Sequence, residues 1–214
     1  MTETATKEVR LPQGRIRYRE AGNGEPIVLV HGLLTNAELW REVVPRLAAD
    51  FRVIAPDWPL GSHQIPLNEG ADLSPPGLAQ IIVDFLAALE LDGVTLVGND
   101  TGGAICQLVV TRHAERLARL VLTPCDAYEN FLPPAFRPLQ VVARAPGAVF
   151  AIAQAMRAAP VRRMPTAYGW VTKRAEDGLT RAWIEGAEGF IQEQQIGVSG
   201  QSPCEAHALP LTAR

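Results

Sequence analysis

The chain is 214 residues long, 20% of them charged, with a formal net charge of −3. That balance offers no cationic surface to nucleic acid or to an anionic membrane, and no apolar run reaches transmembrane length. The Ala-rich stretch 143–159 is interrupted by Arg144, Pro146, Gln154 and Arg157. Residues 1–8 are polar and acidic, unlike a secretion signal. Three cysteines, Cys106, Cys125 and Cys204, stand at no metal-ligand spacing, so free thiols in a cytoplasmic protein are expected, with neither metal nor cofactor. The length suits one domain with a modest insertion.

In chain order, residues 9–11 and 15–20 read as two antiparallel strands joined around Pro12-Gln13-Gly14. Ile27-Val28-Leu29-Val30-His31 is a strand of the buried type, running into Gly32-Leu33-Leu34-Thr35. Residues 38–49 have Leu39, Val43 and Leu47 along one helical face, with Pro45 set to bend the helix. Residues 51–55 form the next strand. After a loop rich in Pro, Gly and Asn, Ser74-Pro75 opens a helix with a cap residue followed by proline. Leu78, Ile81, Ile82, Phe85, Leu86 and Leu89 then recur at helical spacing. Residues 94–97, a helix from Ala104 onward, and a strand at 117–122 complete the alternation. Apolar strands alternating with amphipathic helices predict an α/β fold, a mostly parallel sheet with helices on both faces.

Between the strand at 94–97 and its helix lies Gly98-Asn99-Asp100-Thr101-Gly102-Gly103. Strand, glycine-bounded turn and helix form the setting of a nucleophile elbow, with Asp where a serine often stands. A carboxylate is ionised at neutral pH and attacks an electrophilic carbon without a base, giving an ester that water must then cleave. A plainer reading also exists, in which Asp100 caps the following helix by accepting backbone N–H bonds. The strand running into His31-Gly32 favours the elbow. In hydrolases of this layout the loop after the third strand and the residue after the nucleophile supply the oxyanion-hole amides. Here those are the N–H groups of Leu33 and Thr101.

With both features in view, the chain resembles the α/β-hydrolase superfamily, in its Asp-nucleophile branch of haloalkane dehalogenases and epoxide hydrolases. The likeness runs from about Pro26 to Cys125, through His31-Gly32-Leu33-Leu34-Thr35, Leu39-Trp40-Arg41, Val43-Val44-Pro45 and Asn99-Asp100-Thr101-Gly102. It implies that Asp100 is the nucleophile. The dehalogenases hold the departing halide with an Asn side chain after His-Gly and a Trp after the nucleophile. Leu33 and Thr101 occupy those positions, which favours an epoxide over a haloalkane. Epoxide hydrolases resemble His-Gly-X-Pro, with Leu34 at the Pro position here, and protonate the opening oxygen with cap tyrosines. Tyr128 and Tyr168 lie in the corresponding region, although amphipathic packing explains them as well.

The alternation stops after residue 126. Residues 127–184, broken by Pro133-Pro134, Pro138, Pro146 and Pro160, correspond to the helical cap that the resemblance implies. Residues 185–214 read as an irregular, polar, glycine-rich tail. The last two strands expected of the family are not legible there, so a shortened or fragmentary member is expected, its sheet ending at an unprotected edge. No histidine falls where the family's water-activating base belongs. His31 reads as structural, His63 as solvent-facing, and His113 as the end of the helix after the elbow. His207 is near the C-terminus but has no strand to deliver it. For the acid, the family's sixth-strand position falls on Pro124, leaving Asp126 two residues on. The resulting expectation is a hydrolase of a small neutral substrate acting through an Asp100 ester. The alternative is an inactive protein of the same fold.

Overall fold

A computed structural model gives the structure of residues 5–126, together with 145, 147–155 and 157–162. Strands β1 (Ala5–Leu11) and β2 (Gly14–Ala21) form an antiparallel hairpin with Val9 opposite Ile16. β2 pairs antiparallel with β4 (Arg52–Pro56), whereas β4, β3 (Pro26–Val30), β5 (Val94–Asp100) and β6 (Leu117–Cys125) run parallel. The order across the sheet is β1-β2-β4-β3-β5-β6.

The central strands are apolar throughout because both faces are covered. Val28 and Val30 of β3 point into one core with Ile54, Leu96, Phe85, Ile81, Ile105 and Val109. Ile27 and Leu29 point into the other, with Val53, Ala55, Trp40 and Val44. This is the two-residue alternation of a strand, satisfied on both sides. On the first face lie α2 (Pro75–Ala88) and α3 (Thr101–Arg112), where Phe85 receives Tyr18 and Trp58 edge-on at centroid distances of 5.5 and 5.1 Å. Such aromatic pairs contribute about 0.5–1.5 kcal/mol each beyond the area they bury. α2 starts as its sequence dictates: the Ser74 hydroxyl accepts the Gly77 amide, and Pro75 and Pro76 occupy positions with no amide to satisfy.

On the other face, the single bent helix expected over 38–49 is instead two pieces, a 3₁₀ turn (Ala37–Trp40) and a short α1 (Val44–Leu47). Pro45 has no amide to donate back to Arg41, so it starts a new helix rather than bending an old one. Within the region corresponding to the cap, α4 (Ala148–Ala155) and α5 (Ala159–Arg162) are described. Among the described residues β6 pairs with β5 alone, and Val121 and Leu122 are 44% and 42% exposed. No helix among the described residues is long and apolar enough to cross a membrane.

Candidate active site

β5 delivers Asp100 as its last residue, at the turn into α3. Its backbone sits at φ 52° and ψ −133°, a conformation that costs a non-glycine residue on the order of 1–3 kcal/mol. That strain turns the side chain out of the strand line. The carboxylate makes no capping bond to α3, which removes the plainer reading of Asp100 as a helix cap. The side chain is exposed and lies against Gly32: a Cβ at that glycine would stand 2.3 Å from Asp100 Oδ2 and 2.6 Å from its Cβ. Gly102 is needed for a similar reason. A Cβ there would meet the His31 carbonyl at 2.3 Å, so only glycine lets α3 start this close to the end of β3.

The loop after β3 is held from several sides. Leu34 adopts φ 60° and donates its amide to the Leu60 carbonyl at 2.7 Å, and the Ser62 hydroxyl donates to the Leu34 carbonyl. Among the described residues no hydrogen bond engages the Leu33 amide. Thr101, first residue of α3, has no helical acceptor for its own amide. Both expected oxyanion amides therefore border the residues that enclose Asp100, and the α3 N-terminus adds a partial positive charge.

His31 is structural. The Trp58 amide donates to its Nε2 at 2.9 Å, and its Nδ1 lies 2.9 Å from the Gly32 carbonyl, which fixes the neutral ring with its proton on Nδ1. Burial pulls its pKa down to about 4, against the Gly32 bond and the nearby Asp57 carboxylate. His63, expected to face solvent, is buried at 6% exposure, because the loop after β4 folds back over the sheet end instead of projecting. His113 caps the far end of α3, as expected.

Asp126 is brought to the elbow. Cys125 pairs with Asp100 across β5 and β6, so the next residue emerges beside the α3 N-terminus. The Asp126 amide donates to the Asp100 carbonyl at 3.3 Å, Gln107 Nε2 donates to the Asp126 carbonyl at 3.2 Å, and the Thr101 hydroxyl donates to Asp126 Oδ2 at 3.3 Å. Burial and then the charge of Asp100 raise the Asp126 pKa, and the Thr101 bond opposes them only in part. Tyr128, Tyr168 and His207 lie outside the described residues.

Sequence reasoning missed the supports. Asp57 takes Arg17 Nε and Nη2 on one oxygen, at 2.8 and 2.6 Å, and the Ala37 amide on the other at 3.0 Å. This ties β2 and the loop after β4 to the loop after β3. The signal was present: Pro56-Asp57-Trp58 ends the strand beside β3, where such sheets build their sites. Gln107 gave no such signal, because a polar residue in the second turn of a helix has no motif of its own.

A family model described as the alpha/beta hydrolase fold matches residues 25–156, well over half of the sequence. The chain belongs to that family. A 2-hydroxy-6-oxo-6-(2'-aminophenyl)hexa-2,4-dienoic acid hydrolase of Metapseudomonas resinovorans is 39% identical over 110 residues, 50% of this chain and 37% of that one. Haloalkane dehalogenase 2 of Mycobacterium bovis is 35% identical over 111 residues, 51% of this chain and 38% of that one. The aligned part is between 31% and 39% of the length of such curated relatives. Among solved structures, the epoxide hydrolase CorEH superposes with a TM-score of 0.70 at 20% identity, covering 92% of this chain and 74% of that one. At that identity the likeness concerns the fold.

Proposed function

We propose that this α/β hydrolase uses Asp100 as a carboxylate nucleophile on a small neutral electrophile, an epoxide in preference to a haloalkane, through a covalent ester. The observation that carries the reading is the conformation of Asp100. A strained backbone holds an exposed, uncapped carboxylate against Gly32 at the end of the central strands. Attack by an Asp100 oxygen opens the substrate and leaves an alkyl ester on the carboxyl. The Leu33 and Thr101 amides then stabilise the oxyanion formed when water adds to that ester. His207 stands as the sequence's candidate for the base that activates this water. The Thr101 hydroxyl is already committed to Asp126, and the Leu33 side chain donates nothing, so a departing halide would find little solvation. A cytoplasmic location belongs to the same proposal, on the sequence ground that three cysteines stand at no metal-ligand spacing.

The test is rapid mixing of the full chain with styrene oxide, acid quenching and peptide mass analysis. One epoxide mass on the peptide containing Asp100, absent in Asp100→Asn, is the expected result. A folded chain that never acquires the mass and forms no diol would instead be an inactive member of the fold.

A further inference from the structure

The Asp126 carboxyl has no part in the reading above, yet three hydrogen bonds hold that residue against the nucleophile's own turn. Its amide is tied to the Asp100 carbonyl, its carbonyl to Gln107 of α3, and its carboxyl to the Thr101 hydroxyl. Each anchor comes from the elbow or the helix it opens, so Asp126 keeps its place relative to Asp100 as long as the elbow exists. Two carboxyl groups are thereby confined to one helix N-terminus. A neighbouring like charge favours the protonated form of a carboxyl, so the Asp100 charge acts on Asp126 in the same direction as its burial.

We propose that Asp126 is the general acid that protonates the oxygen released when Asp100 opens an epoxide. This rests on the reading of Asp100 as the nucleophile. An Asp100 oxygen forms a bond to the epoxide carbon, and the bond from that carbon to the ring oxygen breaks. Its electron pair goes to that oxygen, which takes the carboxyl proton of Asp126. Asp126 is left as a carboxylate and regains a proton from water before the next cycle. Burial and the Asp100 charge both shift Asp126 toward the protonated form, and attack removes that charge as the proton departs. Among the described residues, Asp100 is the charged group that faces Asp126. Thr101 and Gln107 are neutral donors, and Cys125 precedes it on β6.

The test compares two electrophiles on the full chain, styrene oxide and methyl 4-nitrobenzenesulfonate, read as the rate of mass gain on the Asp100 peptide. The sulfonate leaves as a stable anion and needs no proton. In Asp126→Asn the amide oxygen still accepts the Thr101 hydroxyl and the backbone bonds remain. The ratio of epoxide to sulfonate labelling is expected to fall by about 10²-fold or more, the usual size of a general-acid contribution. The wild-type epoxide rate should also decline as pH rises through the titration of Asp126, a limb that the variant lacks. An unchanged ratio would overturn the proposal and leave the proton to another donor, such as a tyrosine. A parallel loss with both electrophiles would show that Asp126 only shapes the elbow. Failure of the wild type to take either label on Asp100 would overturn the nucleophile reading itself, and this proposal with it.

Discussion

The Asp100 carboxylate rests on Gly32, with no room between them for a methyl group: a Cβ on Gly32 would stand 2.3 Å from Oδ2. The pairing joins the ends of two parallel strands, β3 and β5, and it sets where the Asp100 carboxylate points. In Gly32→Ala the Asp100 carboxylate must turn away, and because its Cβ would also be approached to 2.6 Å, the backbone of the elbow or of the loop after β3 must shift as well. Labelling of Asp100 by epoxide is expected to fall on the order of 10²-fold, the usual result of displacing a reacting group by about 1 Å. Acid-quenched peptide mass analysis gives the rate, and circular dichroism shows whether the fold survives. A rate equal to wild type would mean that the observed carboxylate position is not the reactive one.

The same residue stores strain that a glycine would not. At φ 52° and ψ −133°, Asp100 pays for its exposure in backbone energy. Asp100→Gly is expected to stabilise the fold by about 1 kcal/mol after the extra chain entropy of glycine is deducted, while abolishing labelling. Urea unfolding of the two proteins measures this. A destabilised glycine variant would show that contacts of the Asp100 side chain outweigh its strain.

Much of this site was legible in the sequence because its devices are local. Glycines crowded around Asp100, the apolar run into His31-Gly32 and the cap-plus-proline start of α2 each carry their geometry in a few adjacent residues. What was not legible depends on chain that is distant in sequence. His63 is buried because the loop after β4 folds back, and the Arg17–Asp57 ion pair spans 40 positions. The break between the 3₁₀ turn and α1 was missed for another reason. The apolar spacing of Leu39, Val43 and Leu47 is equally compatible with one helix or two, and the missing amide of Pro45 decides. Asp126 was legible as a candidate acid, but its clamp by Gln107 and Thr101 needed the pairing of β5 with β6.

His31 makes stability depend on pH in a stated window. Unfolded, its ring takes a proton near 6.5, whereas the folded ring does so only near 4. Between these values the unfolded chain binds more protons, so the contribution is complete above 6.5 and is lost as pH falls toward 4. Over the whole interval this amounts to roughly 3 kcal/mol. Urea unfolding at stepped pH reads the total, and the ring signals of His31 in a nitrogen-15 correlation spectrum isolate its share. A folded His31 that protonates near 6.5 would remove this contribution.

The proposed preference for epoxides over haloalkanes turns on two side chains. Leu33 offers no donor, and the Thr101 hydroxyl is directed to Asp126 Oδ2 at 3.3 Å. A halide leaving carbon as Asp100 attacks would thus receive no side-chain N–H from either of these two positions, while an epoxide oxygen stays attached and needs only a proton. Loss of one preorganised donor typically costs about 10²–10³ in rate, and two are missing relative to the pattern that dehalogenases use. With 1-bromobutane and styrene oxide at equal concentration, labelling of Asp100 is expected to be far faster with the epoxide. In Leu33→Asn combined with Thr101→Trp, bromide release should rise and epoxide labelling should not. Ion chromatography of bromide and mass analysis of the Asp100 peptide give the two rates. Rapid bromide release by the unmodified chain would show that the halide finds its donors elsewhere, and the preference for epoxides would fall with it.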